Sequence, residues 1–230
     1  MKVQTNKQPA PTLEEEMALF EQGYSFIAGV DEVGRGCLAG PVMAAAVILP
    51  LHDPHLASRL EGARDSKQLT AQARERLYDV IMQVALATAV GVGSVELIDE
   101  INILQATKHA MYAALDLLPV AAEALLLDAL LLPRLSLPQR SIIKGDTLCL
   151  SIAAASIVAK VIRDRLMVHL HEQYPLYSFD QNKGYGTPAH LTALHQHGVT
   201  PLHRRSFAPV RELVCGLFTT SHPSAHPSIE

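Results

Sequence analysis

Apolar runs separated by short polar stretches divide the chain into the elements of an α/β protein. Two runs, YSFIAGVD (24–31) and PVMAAAVILP (41–50), predict buried strands, and the short loop between them favours antiparallel pairing. LATAVGVGSV (86–95) predicts a third strand, whose glycines indicate close backbone contact. The run EALLLDALLL (123–132) predicts a central strand covered on both faces, and SIIKGD (141–146) predicts a further short strand.

Helical patterns occupy the segments between these strands. Thr12 followed by Glu15 is a capping-box pattern, which predicts a short helix that ends by Gly23. The segment 151–174 predicts the longest helix, and the small residues in its first half would let it pack closely on a sheet. Further helix starts are predicted at Thr70, Asn102, Thr187 and Pro209. We therefore expect an α/β fold with a mixed central sheet, helices on both of its faces, and C-terminal helices.

Composition is that of an ordinary globular protein. Of the 230 residues, 49% are hydrophobic and 18% are charged, which is enough apolar material for a large core. The most membrane-like run, 117–133, contains Glu123 and Asp128; because an acid near the bilayer centre costs about 2.5–3.5 kcal/mol, we expect no membrane span. Three cysteines with no C-x-x-C pair, and no signal-peptide pattern at the N-terminus, favour reduced thiols and a cytoplasmic protein.

Charge is divided unevenly along the chain, whose overall net charge is −4. Residues 1–132 contain 9 basic and 17 acidic side chains, whereas residues 133–215 contain 10 basic and 5 acidic ones. A basic second half is compatible with a phosphate-binding face opposite a carboxylate site. Charge alone does not separate this interpretation from chance.

Four acids stand at or just after predicted strand ends: Asp31, Glu32, Asp128 and Asp146. Strand ends at one edge of a sheet can converge even when they are far apart in sequence. Two carboxylates about 5 Å apart repel by roughly 3 kcal/mol at an effective dielectric of about 20, so convergence requires protonation or a divalent cation. Carboxylate oxygens favour Mg²⁺ or Mn²⁺, and a pair of such ions can promote attack of water on a phosphodiester.

Each of these acids also has an ordinary structural interpretation. Asp146 in KGDT fits a turn, whereas Asp128 lies among leucines and alanines, where a lone buried acid is rare. Neighbouring residues on a strand point to opposite faces, so Asp31 and Glu32 can reach one ion only if the strand ends or bends there. The glycines that follow make such a bend the expectation.

Other chemistries have weaker support in the sequence. The pairs HLH (169–171) and HQH (195–197) have i, i+2 spacing, which does not place both rings on one helix face, so we expect surface histidines. The sequence contains no P-loop spacing, no H-E-x-x-H and no G-x-S-x-G.

Six segments, in order and at natural spacing between residues 25 and 215, resemble a known family. They are GVDEVGRGCLAGPV (29–42), DSKQL (65–69), KGD (144–146), SIAAASIVAKVIRD (151–164), NKGYGT (182–187) and HRRSFAPV (203–210). Together they resemble bacterial ribonuclease HII, the type 2 ribonuclease H. The resemblance implies a ribonuclease H-like fold in a single catalytic domain over 25–217. A leader with a short helix is expected over 1–24 and a disordered tail over 218–230.

The resemblance also implies an activity. The expected substrates are RNA/DNA hybrids, whose RNA strand is hydrolysed, and duplex DNA with embedded ribonucleotides, which is cut on their 5′ side. The expected products carry a 5′-phosphate and a 3′-OH, the expected cofactors are two Mn²⁺ or Mg²⁺ ions, and the protein is expected to be a monomer. The implied catalytic and metal-binding residues are Asp31, Glu32, Asp128 and Asp146.

The resemblance further implies residues that contact the nucleic acid. Backbone at Gly34, Arg35 and Gly36 would approach the ribose 2′-OH, the group that distinguishes RNA from DNA. Tyr185 would stack on the neighbouring deoxyribose. The implied phosphate contacts are Lys67, Arg204 and Arg205.

Two positions depart from the family pattern, and two other functions stay open. Cys37 stands where the family usually has proline, and Ala129 stands where glycine is common. The Gly-Arg-Gly sequence favours the type 2 enzymes over their type 3 relatives. The alternatives are another ribonuclease H-like nuclease, such as a resolvase or an exonuclease, and a hybrid-binding protein without catalysis. Four acids facing phosphates argue against a pure binding protein.

Overall fold

A computed structural model describes residues 10–219 of the chain, and these contain one mixed five-stranded sheet. The strands, in spatial order β3-β2-β1-β4-β5, are β1 (Ile27–Val33), β2 (Val42–Ile48), β3 (Ala87–Gly93), β4 (Ala124–Asp128) and β5 (Gln139–Ile142). β1, β2 and β3 are antiparallel neighbours, whereas β4 and β5 continue from β1 in parallel. The mixed sheet and the first three predicted strands are confirmed. The strand predicted over 123–132 ends at Asp128, and the strand predicted over 141–146 lies earlier, at 139–142, because residues 145–148 form a helical turn.

Helices cover both faces of this sheet, as the sequence predicts. They are α1 (Glu14–Phe20), α2 (Leu56–Arg59), α3 (Ala71–Val84), α4 (Val95–Asp116), α5 (Gly145–Leu148), α6 (Leu150–Gln173), α7 (Phe179–Asn182), α8 (Pro188–His197) and α9 (Ala208–Thr219). α6 and α3 pack against one face, and α4 packs against the other. None of the described helices is long and apolar enough to cross a membrane.

Small residues bring both covering helices close to the sheet. A Cβ at Gly29 of β1 would lie 2.3 Å from the backbone of Ser151 in α6. On the opposite face, a Cβ at Gly91 of β3 would lie 2.0 Å from the carbonyl of Ala110 in α4. Both distances exclude a side chain, so the predicted close contacts are confirmed.

Helix starts agree with the sequence at most positions. Thr70 and Thr187 accept hydrogen bonds from the third residue beyond them, and Pro209 lies one residue inside α9. Asn102 interrupts α4 with φ 69°, and its side chain caps the helical turn that follows. The capping box at Thr12 is wrong: the Thr12 backbone is bonded to Leu148 and Leu150, and the helix begins at Glu14.

A smaller apolar cluster lies at the C-terminal end of α6. It brings together Met167, Phe179 of α7, Leu194 of α8 and Val210 of α9. Leu38 and Ala39, from the loop between β1 and β2, belong to the same cluster, so the C-terminal helices support that loop directly. The expected tail over 218–230 lies outside the described residues, except for its first two positions at the end of α9.

Candidate active site

The structure brings the four predicted acids to one end of the sheet. Asp31 and Glu32 lie near the end of β1, and Asp128 is the last residue of β4, the parallel neighbour of β1. Because Val30 pairs with Leu127, Asp31 and Asp128 are adjacent across the two strands. Asp146 reaches the same place from α5, and the Gly145 N–H donates to the Asp128 carboxylate at 2.8 Å.

The expected bend at Asp31 and Glu32 is not present. β1 pairs regularly with β2 as far as Val33, so the two carboxylates lie on opposite sides of an intact strand. Asp31 lies on the side of β1 that faces α6, where the neighbouring Ser156 side chain partly opposes the rise in its pKa. Antiparallel pairing with β2 carries the strand past the point where parallel pairing with β4 ends, and this keeps it straight.

Burial and mutual repulsion perturb these acids. Burial, and then the neighbouring Glu32 and Asp128 carboxylates, raise the pKa of Asp31 well above its usual range. Burial also raises the pKa of Glu32, although the ion pair with Arg35, at 3.3 Å, acts in the opposite direction. Burial followed by the charges of Asp65 and Asp128 raises the pKa of Asp146 to about 6. The fold therefore holds several carboxylates where each disfavours the ionisation of another.

Asp65 is an acidic residue of this site that the sequence analysis missed. Its side chain accepts from the Lys67 N–H at 2.9 Å, so it caps the 3₁₀ turn Ser66–Gln68, and it also contacts Asp146. The exposed Lys67 is close enough to Glu32 and Asp146 for its charge to oppose the rise in their pKa values. The available signal was the position of Asp65 two residues before Lys67 in the matched DSK segment.

The chemistry of these side chains fits a divalent cation, but their present spacing does not. Oxygen Oε2 of Glu32 is buried without a hydrogen-bond partner in the described part of the chain, and every available donor atom is a hard carboxylate oxygen. Across residues 10–219, no three His, Cys, Asp or Glu side chains stand close enough together to hold a metal ion. Binding an ion here would therefore require at least one carboxylate to move.

The Gly-Arg-Gly segment begins directly beyond these acids. Gly34 has φ +90°, and a Cβ on it would lie 2.3 Å from Nε of Arg163, so this position requires glycine. Arg35 is exposed and extends its guanidinium toward Glu32. Gly36 is exposed, and a Cβ on it would meet no atom within 4 Å. The Arg163 side chain therefore leaves no room for a Cβ at Gly34, whereas the space beside Gly36 is open to an incoming ligand.

Tyr185 lies next to this segment and is half-buried. Burial and the neighbouring Cys37 raise the pKa of Tyr185 to about 12, and Nζ of Lys160 lies 5.5 Å from the centre of its ring. Cys37 is fully buried, and its thiol lies 3.7 Å from the Lys183 carbonyl. The cysteine at this departure from the family pattern thus packs beneath the tyrosine.

The two C-terminal arginines differ sharply. Arg205 is exposed, and its prediction as a phosphate contact stays a prediction. Arg204 is 0% exposed and donates to the carbonyls of Gly40 and Arg35. A phosphate contact by Arg204 is therefore a wrong prediction, because the loop between β1 and β2 occupies its guanidinium group.

A buried histidine pair was also missed. Nε2 of His190 and Nε2 of His203 lie 3.0 Å apart, and both rings are almost fully buried. His190 contacts the Tyr185 carbonyl, and His203 accepts from the Thr200 N–H. No periodic pattern marks this pair, since the two residues come from α8 and the segment after it. The exposed histidines at 169, 195 and 197 agree with the expectation for their pairs, while His171 is half-buried.

Sequence and structure comparisons identify the family. The Ribonuclease HII family model matches residues 28–210. Ribonuclease HII of Halalkalibacterium halodurans is 54% identical over 197 residues, covering 86% of this chain and 73% of the relative. The crystal structure of ribonuclease H2 from Pyrococcus horikoshii has a TM-score of 0.70 and 26% identity, and covers 85% of this chain and 99% of that one. Bst-RNase HIII in complex with Mn²⁺ has the same fold, with a TM-score of 0.62 and 22% identity over 91% of this chain and 75% of that one. The chain belongs to the ribonuclease HII family and is a ribonuclease H, an endonuclease that acts on RNA/DNA substrates.

Proposed function

We propose that this ribonuclease H hydrolyses the RNA strand of RNA/DNA hybrids and also cuts duplex DNA on the 5′ side of embedded ribonucleotides. The reaction leaves a 5′-phosphate and a 3′-OH, and requires two Mn²⁺ or Mg²⁺ ions. The observation that carries the proposal is the convergence of Asp31, Glu32, Asp128 and Asp146 at one end of the sheet, with raised pKa values at three of them. Burial is the main cause of these raised pKa values, and repulsion between the carboxylates adds to it; both are expected where a cation normally balances the charge.

The four carboxylates are the groups that would hold the ions. Bound there, two divalent ions would supply an activated water and would stabilise negative charge on the leaving 3′ oxygen. The hydrogen bonds from the Gly145 N–H to Asp128 and from the Glu32 N–H to Asp31 fix the orientation of two of these carboxylates. Bst-RNase HIII, a structural neighbour, is described in complex with Mn²⁺. That description agrees with the chemistry of the oxygen ligands here.

Residues beside the acids would bind the nucleic acid. Lys67 places an exposed ammonium group next to the carboxylates, where a phosphate could reach both. Arg205 presents a second exposed cation. The ring of Tyr185 is partly accessible and would stack on a sugar of the DNA portion. Gly36 leaves room for backbone to approach the ribose 2′-OH.

The histidine geometry argues against the alternative chemistry in which the 2′-OH is the nucleophile. That route needs a general base such as histidine beside the ribose, and it leaves a 2′,3′-cyclic phosphate. His203 is the histidine of the matched HRRSF segment, yet it is 1% exposed. Both of its ring nitrogens are engaged, by Thr200 and by His190. Water is therefore the expected nucleophile.

The test is to map product ends on duplex DNA with one embedded ribonucleotide. Cleavage in Mg²⁺ or Mn²⁺ should give a single cut on the 5′ side of the ribonucleotide, with a 5′-phosphate on the downstream fragment. The matched all-DNA duplex should stay intact, and EDTA should abolish cleavage. A cyclic phosphate end, or turnover undiminished by EDTA, would refute the mechanism.

A further inference from the structure

Two arginines lie fully buried behind the loop of residues 34–41, which we call the substrate loop. Arg163 of α6 and Arg204 are both 0% exposed. In the described part of the chain, their guanidinium groups donate to backbone carbonyls rather than to carboxylates. Burying a charge without an opposite charge is costly, so the carbonyl contacts must compensate for the lost water. An arrangement of this kind calls for a reason beyond packing.

Arg163 forms hydrogen bonds both to the substrate loop and to the neighbouring segment 183–185. Arg163 donates to Pro41 at 3.0 Å, to Ala39 at 3.1 Å and to Lys183 at 2.8 Å. Lys183 begins the turn that leads to Tyr185, and Leu38 and Ala39 also donate to the Gly184 carbonyl. The substrate loop and the segment that carries Tyr185 are thus held as one unit.

Arg204 acts on the Gly-Arg-Gly segment itself. Its Nε and Nη2 donate to the Gly40 carbonyl at 2.9 and 2.8 Å, and its Nη1 donates to the Arg35 carbonyl at 3.0 Å. In a trans peptide the C=O and the following N–H point in opposite directions, and the described chain contains no cis peptide. Because the Arg35 carbonyl points inward to Arg204, the Gly36 N–H points outward. No acceptor for it is present among the described residues.

We propose that Arg204 is a positioning residue that turns the Gly36 N–H toward the ribose 2′-OH and thereby sets the preference for ribonucleotides. The inference rests on the proposed function, since it concerns how the same site selects its substrate. A hydroxyl oxygen can accept a hydrogen bond from this N–H, and a deoxyribose offers no such acceptor. Arginine is suited to this role because its rigid fork binds two carbonyls at once.

The charge of Arg204 persists at neutral pH. Burial, and the repulsion from Arg163, lower the pKa of Arg204 to about 10, which is still well above 7. Arg163 in turn packs on Gly34, where a Cβ would lie 2.3 Å from its Nε. The position of the Arg163 side chain therefore requires glycine at position 34.

The decisive variant is Arg204→Lys, which keeps the charge but cannot bind the Gly40 and Arg35 carbonyls as a fork. We would measure its Kd, in EDTA, for duplex DNA with one ribonucleotide and for the matched all-DNA duplex. The affinity for the ribonucleotide duplex should fall by about tenfold, which corresponds to one lost hydrogen bond. The affinity for the all-DNA duplex should change less than twofold. Met111→Ala, which opens a cavity beneath α4 on the opposite face, is the control for lost stability and should keep the wild-type ratio.

The outcomes are separable. Equal losses on both duplexes, or an unchanged ratio, would overturn the positioning role. A wild-type protein that cleaves but binds both duplexes equally would also overturn it, while leaving the proposed function intact. A wild-type protein that does not cleave at ribonucleotides would refute the proposed function itself. Should Arg204→Lys fail to fold, the Gly36 amide resonance of ¹⁵N-labelled wild type decides the matter. It should shift with the ribonucleotide duplex and not with the all-DNA duplex, and equal shifts would overturn the proposal.

Discussion

The buried histidine pair leads to a prediction about acid stability. His190 Nδ1 lies 2.9 Å from the Tyr185 carbonyl, so this nitrogen carries the proton and Nε2 is an acceptor. His203 Nδ1 accepts from the Thr200 N–H at 2.9 Å, so its Nε2 carries the proton and donates to His190. Both rings are then neutral, and each of these contacts has one donor and one acceptor. A further proton on either ring would set a donor against a donor.

The size of the effect follows from the pKa of His203. Burial, and then the repulsion that a protonated His190 would exert, lower this pKa to about 4, whereas an unfolded histidine has a pKa of about 6.5. Since the folded value is the lower one, the stabilisation is fully present above pH 6.5 and is lost as the pH falls toward 4. From pH 7.5 to pH 5.0 the loss in the free energy of unfolding is about 2 kcal/mol, as an order of magnitude.

Urea unfolding of the wild type and of His203→Gln at the two pH values tests this. The carboxylates with raised pKa values increase the free energy of unfolding as the pH falls, because they take up protons more readily in the folded protein than in the unfolded one. They are the same in both proteins, so the difference between the two pH dependences isolates His203. Wild type should lose about 2 kcal/mol more than the variant between pH 7.5 and pH 5.0. Equal pH dependences would refute the assignment of a neutral, donor-acceptor-matched pair.

Three further predictions follow from the site and its surroundings. Asp128→Asn should abolish cleavage in Mg²⁺, and full activity would refute the metal-ligand assignment. In EDTA its free energy of unfolding should stay the same or rise, because the amide oxygen still accepts from the Gly145 N–H and the repulsion of Asp31 is relieved. Gly36→Ala should change the free energy of unfolding by less than about 0.5 kcal/mol but should lower cleavage at ribonucleotides. Gly34→Ala should lower the free energy of unfolding, measured in urea, by more than about 2 kcal/mol. A larger loss of stability in Gly36→Ala than in Gly34→Ala would refute the loop geometry. Ala129→Gly should raise the free energy of unfolding by up to about 1 kcal/mol, because Ala129 has φ 51°, a left-handed conformation that disfavours a side chain. A lower free energy of unfolding in urea would contradict this.

Elements with strong local patterns could be predicted from the sequence. Continuous apolar runs between turn residues located β1, β2 and β4, and Thr70 and Thr187 located helix starts, because these signals depend on a few neighbouring residues. The capping box at Thr12 failed for a non-local reason. The Thr12 backbone pairs with residues 148 and 150, and this contact outweighs the local preference. The straightness of β1 at Asp31 was likewise set by its partner β2, which the local pattern does not describe.

The residues of the candidate site likewise include some that the sequence could identify and some that it could not. The four acids could be found because carboxylates at apolar strand ends are unusual in any local pattern. The role of Arg204 could not, since an arginine in a motif looks the same whether its guanidinium meets a phosphate or a buried carbonyl. His190 and His203 are invisible for a similar reason: their contact joins α8 to a later turn. Ala129 lies between these cases: the sequence showed only that it stands where the family commonly has glycine, and the structure supplies the reason, a left-handed backbone at φ 51°.

The two kinds of buried charge divide the labour of the site. Burial, and then the neighbouring carboxylates at the ends of β1 and β4, raise the pKa values of Asp31 and Glu32, so that region favours cations. Behind the substrate loop, the guanidinium groups of Arg163 and Arg204 donate to backbone carbonyls, so that region holds a fixed backbone. Removing an acid should therefore affect cleavage without changing how the loop reads a ribose. Changing the loop should affect substrate choice without changing how the acids repel one another. For this reason Asp128→Asn should lose cleavage but keep the binding preference for the ribonucleotide duplex, whereas Gly36→Ala should lose that binding preference. A protein in which Asp128→Asn also lost the preference would not be organised in this way.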